Sequence, residues 1–384
     1  MAQPMHIPSR PSRLKESSGA VMRRVAIVGP TGASLRHLRG PLVSALTAGR
    51  HQVMLFARSF EPADEAALRA KGLNFRLLAE TGGGIPILSD WRAVSGLTKE
   101  LQSFQPNIVL AYGADTLLPS IKAAHWAKVS RIVGLINELP TDKRDQRQMR
   151  AVARALELVD AAVFHNGDQP KWLREQGLLP RDLSFVVVPG AGVDLAYHGV
   201  QPLPDIGAGL VFLMNARMDV QKGVLDYARA AQDVKARAPS ARFLLAGLDG
   251  QGGQGITDRE MEPYLDALEI LGPLEDVRSA FARAHVFVYP SHAEGMPRPV
   301  LEALAAGRPV ITTNGPGCRD TVDERINGVL VPPSDPDALA SAMESFLKRP
   351  DLIPSMARAS RAKAERRFDE RAVNAALFQV MGLS

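Results

Sequence analysis

A single cysteine, Cys318, stands among the 384 residues, so the chain can form no internal disulfide and no cysteine-cluster metal site. Aromatic residues are scarce, at 5%, and do not interleave with basic ones, which argues against nucleic acid as a partner. No apolar run is long enough to cross a bilayer. No basic segment followed by an apolar core opens the chain, so a signal peptide is not expected. None of the aspartates forms a convincing metal pair. These absences leave a soluble, cytoplasmic globular protein as the expectation.

What is present points to two domains, because 384 residues exceed one ordinary core. Charge is divided unevenly: residues 1–195 carry +8 and residues 196–384 carry −3. The first fifty residues hold eight basic side chains against Glu16 alone. This is either a solvated basic arm or a face for an anionic membrane or an anionic lipid-linked substrate.

Residues 1–22, with Pro4, Pro8 and Pro11 and no periodicity, read as a disordered arm. Short apolar strands then alternate with helical segments. Strands are expected at Arg24–Val28, Gln52–Ala57, Ile108–Ala111, Ile132–Ile136, Ala161–Phe164 and Phe185–Val188, with a helix over Leu35–Ala48. This series makes a first Rossmann-like domain over 23–196. A Pro/Gly-rich linker over 197–209 follows. A second series at Leu210–Met214, Phe243–Leu245, Leu268–Leu271, Val286–Tyr289, Val310–Thr312 and Val329–Val331 makes a second such domain over 210–358. Residues 359–384 read as C-terminal helices. The amphipathic stretch Arg371–Met381 is a candidate for packing back on the first domain. The fold class is α/β, with two doubly wound parallel sheets.

Chemistry concentrates in the second series. Glu294 lies in the loop after the strand Val286–Tyr289, and Glu302 lies within the helix that Pro297 or Pro299 can open. Ligands of open α/β sheets bind at the carboxyl ends of strands, where a helix N-terminus offers N–H groups to a phosphate. Two acids that bind hydroxyls, beside such a seat, describe a nucleotide-sugar site. Arg217 and Lys222 flank an earlier strand-to-helix loop, where fixed cations can hold a diphosphate.

Arg217, Lys222-Gly223, Glu294 and Glu302, with Ala306–Ile311, Gly328–Pro333 and Asp335-Pro336, resemble the retaining GT-B glycosyltransferases of family 4. Gly315–Thr321, Phe164–Gln169 and Gly192-Val193-Asp194 resemble the bacterial subgroup that extends undecaprenyl-diphosphate-linked sugars in capsule, O-antigen or exopolysaccharide assembly. The resemblance implies two domains facing across a cleft, a nucleotide-sugar donor (UDP by subgroup) and a lipid-diphosphate-linked saccharide acceptor. It implies Glu302 on the ribose hydroxyls and Glu294 on the donor sugar. Arg217 and Lys222 would neutralise the leaving diphosphate, so no metal or other cofactor is expected. Backbone at Gly295, Met296 and Pro297 would approach sugar and phosphate, and Gly272 and Leu274 would approach the base.

In the first half, Gly29 and Gly32 match the loop that nears the donor phosphates in the family. Arg36, Arg39, Asn137, Glu138 and His165 are acceptor-side candidates. Many relatives carry a histidine after the strand matching Ile132–Ile136, and Asn137-Glu138 stands there instead. The apolar stretch Gly82–Leu88 with Trp91 reads as either a plain surface loop or a lipid contact, and it is the basic N-terminal half that makes a peripheral place on the cytoplasmic face of the membrane an expectation. His165 and His292 flank the expected cleft. Cys318, with no activating partner in the sequence, reads as packed. Two other readings stay open: a non-catalytic GT-B nucleotide-sugar-binding subunit, and an NADP-dependent oxidoreductase prompted by Gly29-Pro30-Thr31-Gly32 with Arg58. The second lacks the full Gly-x-Gly-x-x-Gly spacing.

Overall fold

A computed structural model of the chain describes residues 22–37, 39–78, 86–139, 146–247 and 255–383, with 86–90 as backbone only. The expected arm, Met22 apart, and the glycines of the Gly82–Leu88 stretch lie outside the described residues. Trp91 is exposed on the helix Pro86–Phe104.

The chain forms two compact units, residues 1–191 with 372–384, and residues 192–371. The first unit contains β1 (Arg24–Gly29), β2 (Gln52–Ala57), β3 (Asn74–Leu77), β4 (Ile108–Tyr112), β5 (Arg131–Ile136), β6 (Ala161–Phe164) and β7 (Phe185–Val187). They pair in parallel in the order β3-β2-β1-β4-β5-β6-β7. The second contains β8 (Val211–Asn215), β9 (Arg242–Ala246), β10 (Leu268–Gly272), β11 (Val286–Tyr289), β12 (Val310–Thr313) and β13 (Gly328–Val331). Its parallel order is β10-β9-β8-β11-β12-β13. The expected class of two doubly wound parallel sheets is therefore present. In each sheet the order reverses once, between β1 and β4 and between β8 and β11, which is where such sheets open a crevice for ligands.

Both faces of each sheet are covered, so the strands read as apolar runs. Along β1, Val25 and Ile27 pack into one cluster while Ala26 and Val28 enter the other, the alternation that a strand imposes. Val373, Leu377, Val380 and Met381 of the helix Glu370–Met381 join the first of these clusters. Arg131 fastens that helix by donating from Nη2 to the Val380 carbonyl at 2.8 Å. Residues 197–209 lie inside the second unit. There the buried Arg308 donates to the carbonyls of Gln201 and Pro202, at 2.8 and 2.7 Å.

Two expectations are corrected. The single helix over Leu35–Ala48 is two helices, Gly32–His37 and Gly40–Ala48. Pro41 has no N–H to donate to a preceding turn and opens the second helix instead. β3 went unpredicted because it is an edge strand whose residues are mostly exposed, so it shows no apolar run.

Candidate functional site

The second unit places its chemistry on the loops after β8 and β11, the two strands at its reversal point. After β8 the chain passes Arg217, makes a short 3-10 turn at Val220–Lys222 and enters the helix Val224–Arg237. Gly223 joins the turn to the helix at φ 72°, and a Cβ there would stand 2.3 Å from the Pro290 carbonyl oxygen. Only glycine allows both the left-handed conformation and this approach of the two loops.

That approach brings Lys222 to Glu294. Nζ lies 2.6 Å from Oε1, with the two side chains 13% and 6% exposed. The Tyr289 hydroxyl and Ser291 Oγ each donate to the same oxygen at 2.9 Å. Three donors on one oxygen fix the carboxylate, and partial burial strengthens each bond. The surrounding backbone is tied as well. His292 N–H bonds the Gln221 carbonyl at 3.0 Å, and Glu294 N–H bonds that of Pro316 at 3.1 Å. Gly317, at φ 74°, passes so close that a Cβ would meet the Glu294 carbonyl oxygen at 2.3 Å. Cys318 is fully buried beneath this loop; burial, and then the Glu294 charge, push its thiol up to about 12. It is a packed residue, not a nucleophile.

Arg217 is half-exposed and pairs with Asp219 at 3.1 Å. His292 sits on the rim, its Nε2 3.0 Å from Asp226 Oδ2 and 3.2 Å from Ser334 Oγ.

Glu302 is the fifth residue of the helix Arg298–Ala305. Its Oε1 accepts from Arg298 Nε at 2.9 Å, with His198 Nε2 at 3.7 Å. Burial raises the Glu302 carboxyl above its ordinary range, against the pull of the Arg298 charge. Burial, aided by Arg298, lowers His198 to about 4. Fewer helix N–H groups remain for a phosphate than the sequence suggested. Pro297 and Pro299 have none, and those of Val300 and Leu301 already donate to the Pro297 carbonyl. Gly295 and Pro297 are buried, while Met296 packs half-buried against the core of the unit. Near the β10 end, the Gly272 carbonyl accepts from Gly247 at 3.0 Å, and Leu274 packs against the same core.

In the first unit, Gly29 ends β1 beside the Tyr112 ring and Gly32 opens its helix beside Phe60. Arg36 turns to Asp64 at 3.1 Å. Arg39 is buried: its Nη2 stands 3.1 Å from Asn137 Oδ1 and 3.2 Å from His165 Nε2, with the guanidinium 5.1 Å from the Tyr112 ring centre. Burial, then the Arg39 charge, lower His165 well below its ordinary value, so the imidazole is neutral. Gln169 ties this group together, accepting from His165 N–H and donating to the Asn137 carbonyl, both at 2.9 Å. Glu138 and Asn137 line a cavity of about 200 Å³ with Ala114, Leu117 and Val152. Arg39, Asn137 and His165 therefore converge, while Arg36 is drawn aside.

Sequence reasoning passed over Tyr289, Ser291, Asp219, Arg298 and His198. Tyr289 sits in an apolar run and reads as core. Arg298 stands four residues before Glu302, a spacing that could have signalled the ion pair.

The sequence model of the "Glycosyl transferases group 1" matches residues 209–349. WcaL of Escherichia coli (strain K12), named for colanic acid biosynthesis, is 28% identical over 51% of this chain and 50% of its own. The chain thus spans about half the length of that relative. The glycogen synthase of Mycobacterium tuberculosis (strain CDC 1551 / Oshkosh) is 32% identical over 73% of this chain and 69% of its own. The N,N'-diacetylbacillosaminyl-diphospho-undecaprenol alpha-1,3-N-acetylgalactosaminyltransferase of Campylobacter jejuni is 22% identical over 90% and 95%. Anabaena Alr3699/HepE, solved in complex with UDP, shares the fold at a TM-score of 0.78 and 15% identity, over 94% of this chain and 99% of that one.

Proposed function

The chain belongs to the group 1 glycosyl transferases, and on that premise we propose that it transfers a hexose or N-acetylhexosamine from a nucleotide sugar to a lipid-linked saccharide in cell-surface polysaccharide synthesis. The observation that carries this is the Lys222–Glu294 contact at the carboxyl ends of β8 and β11, held by Tyr289 and Ser291. Glu294 receives donor-sugar hydroxyls and Glu302 the ribose diol, since a carboxylate accepts two hydrogen bonds from a diol. Lys222 and Arg217 stabilise charge on the nucleoside diphosphate as its bond to the anomeric carbon breaks. The new bond forms on the same face, and a phosphate oxygen takes the acceptor's proton. With two cations at the diphosphate, no metal is required.

A uridine donor is supported by the UDP complex of HepE, which shares the fold. A lipid-diphosphate acceptor is supported by the Campylobacter relative's activity on a diphospho-undecaprenol substrate. The Arg39–Asn137–His165 group and Glu138 are the acceptor-side residues of the first unit. The +8 charge of residues 1–195 supports peripheral contact with an anionic membrane; among the described residues no helix is long and apolar enough to cross one.

Calorimetry of the purified chain against UDP, GDP and ADP tests the donor site, with a screen of nucleotide sugars and lipid-linked acceptors testing transfer. One nucleotide should bind selectively, and its sugar conjugate should be consumed only when an acceptor is present. A folded chain that binds none of the three overturns the proposal.

A further inference from the structure

Arg298 is the first residue of the helix Arg298–Ala305, a position where the helix dipole disfavours a cation. Its guanidinium turns inward by one turn, to 2.9 Å from Glu302 Oε1. The Glu302 side chain is only 12% exposed, so its charge is costly unless it is compensated. Arg298 supplies the compensation, by charge and by hydrogen bond. His198, on the other side, cannot replace it. Its Nε2 stands beyond hydrogen-bond length at 3.7 Å, and the ring, lowered to about 4, is neutral at pH 7. Asp194, Asp276 and Arg278 also act on His198, and Arg298 itself acts on Glu370 together with Asp194, Asp369 and Arg371.

We propose that Arg298 is a positioning residue for the nucleotide, holding the Glu302 carboxylate turned to receive the two hydroxyls of a ribose. This rests on the reading of Glu302 as the ribose partner. A protonated or swung-away Glu302 accepts fewer hydrogen bonds, so losing Arg298 weakens nucleotide binding through the ribose and leaves the phosphate contacts in place. The effect grows as pH falls, because burial without Arg298 lets Glu302 take up a proton at higher pH.

The test compares a nucleoside diphosphate with its 2′,3′-dideoxy form, using whichever of UDP, GDP or ADP binds the purified chain. Affinities are measured between pH 5.5 and 8 for the native chain, Arg298→Ala and Arg298→Lys. The native chain should favour the ribose form. Arg298→Ala should bind that form about tenfold more weakly, as for a lost charge-assisted partner, and bind the dideoxy form unchanged. Its affinity should also fall off at higher pH than that of the native chain. Arg298→Lys, which keeps the charge, should restore the native pH profile. Equal weakening of both nucleotides by Arg298→Ala, or no weakening, overturns the role of Arg298 while leaving Glu302 in place. A native chain that does not distinguish the two nucleotides overturns the ribose assignment itself, and this proposal with it. Circular dichroism establishes that Arg298→Ala is folded, so that equal weakening is read only from a folded variant; should it not fold, the pH profile of Arg298→Lys carries the test.

Discussion

Lys222 Nζ and Glu294 Oε1 stand 2.6 Å apart and join the loop after β8 to the loop after β11. The cation proposed for the diphosphate is thus held by the carboxylate proposed for the sugar. Donor binding has to share Lys222 between them, so neither residue acts independently.

Replacing Lys222 with Ala removes both the cation and a partner of Glu294. We expect turnover to fall about 10²–10³-fold, the scale of losing one transition-state donor, with weaker nucleotide binding. Transfer assays beside calorimetry check this. A folded Lys222→Ala chain that works at the native rate refutes the assignment.

Tyr289→Phe removes one of the three donors to Glu294 Oε1 and keeps the ring in the core. Stability should change by about 1 kcal/mol. Turnover should drop several-fold, while nucleotide affinity holds, because Glu294 faces the sugar. Equal loss of UDP affinity and of kcat would place Tyr289 elsewhere in the mechanism.

His198 gives acid pH a specific target. Its folded-state value, about 4, is below the ordinary 6.5, so the unfolded chain binds its proton first. Its contribution is complete above about pH 6.5 and is lost as pH falls towards 4, by at most about 3 kcal/mol. Glu302 and Glu370, both raised, act in the opposite sense and are common to both proteins being compared. His198→Phe should therefore lose less stability than the native chain between pH 7 and 5 in urea unfolding. Identical losses would remove His198 as the cause.

Arg308 is wholly buried and donates to five carbonyls, those of Phe281, Gln201, Ala306, Gly307 and Pro202. Arg308→Met keeps the bulk but removes the guanidinium donors. The Phe281 and Ala306 carbonyls keep the N–H groups of Ala284 and Gln201, while those of Gln201, Pro202 and Gly307 lose their side-chain donor. We expect destabilisation by about 3 kcal/mol or more. Thermal unfolding measures this, and a variant as stable as the native chain would show that the carbonyls find other partners.

Glu294 and Glu302 were legible in the sequence because each sits at a fixed place on a strand-loop-helix unit whose residue types show that pattern. The cations after β8 were legible for the same reason. Their pairings were not. Lys222 and Glu294 are 72 residues apart, and only the pairing of β8 with β11 brings their loops together. Tyr289 looked like core because it is core, 3% exposed, and its hydroxyl alone reaches the site. Among the first-half candidates, spacing gave Arg36 and Arg39 equal standing on one helix. The break before Pro41 sends them to different partners, Asp64 for one and the Asn137–His165 group for the other.

The sequence by itself determined the two parallel sheets, through apolar strands alternating with amphipathic helices, and it determined which side chains carry charge at their carboxyl ends. Tertiary structure decided which of those charges meet. Strand order sets the neighbours of each loop, burial sets which ionised groups need a partner, and neither quantity is local to any stretch of chain.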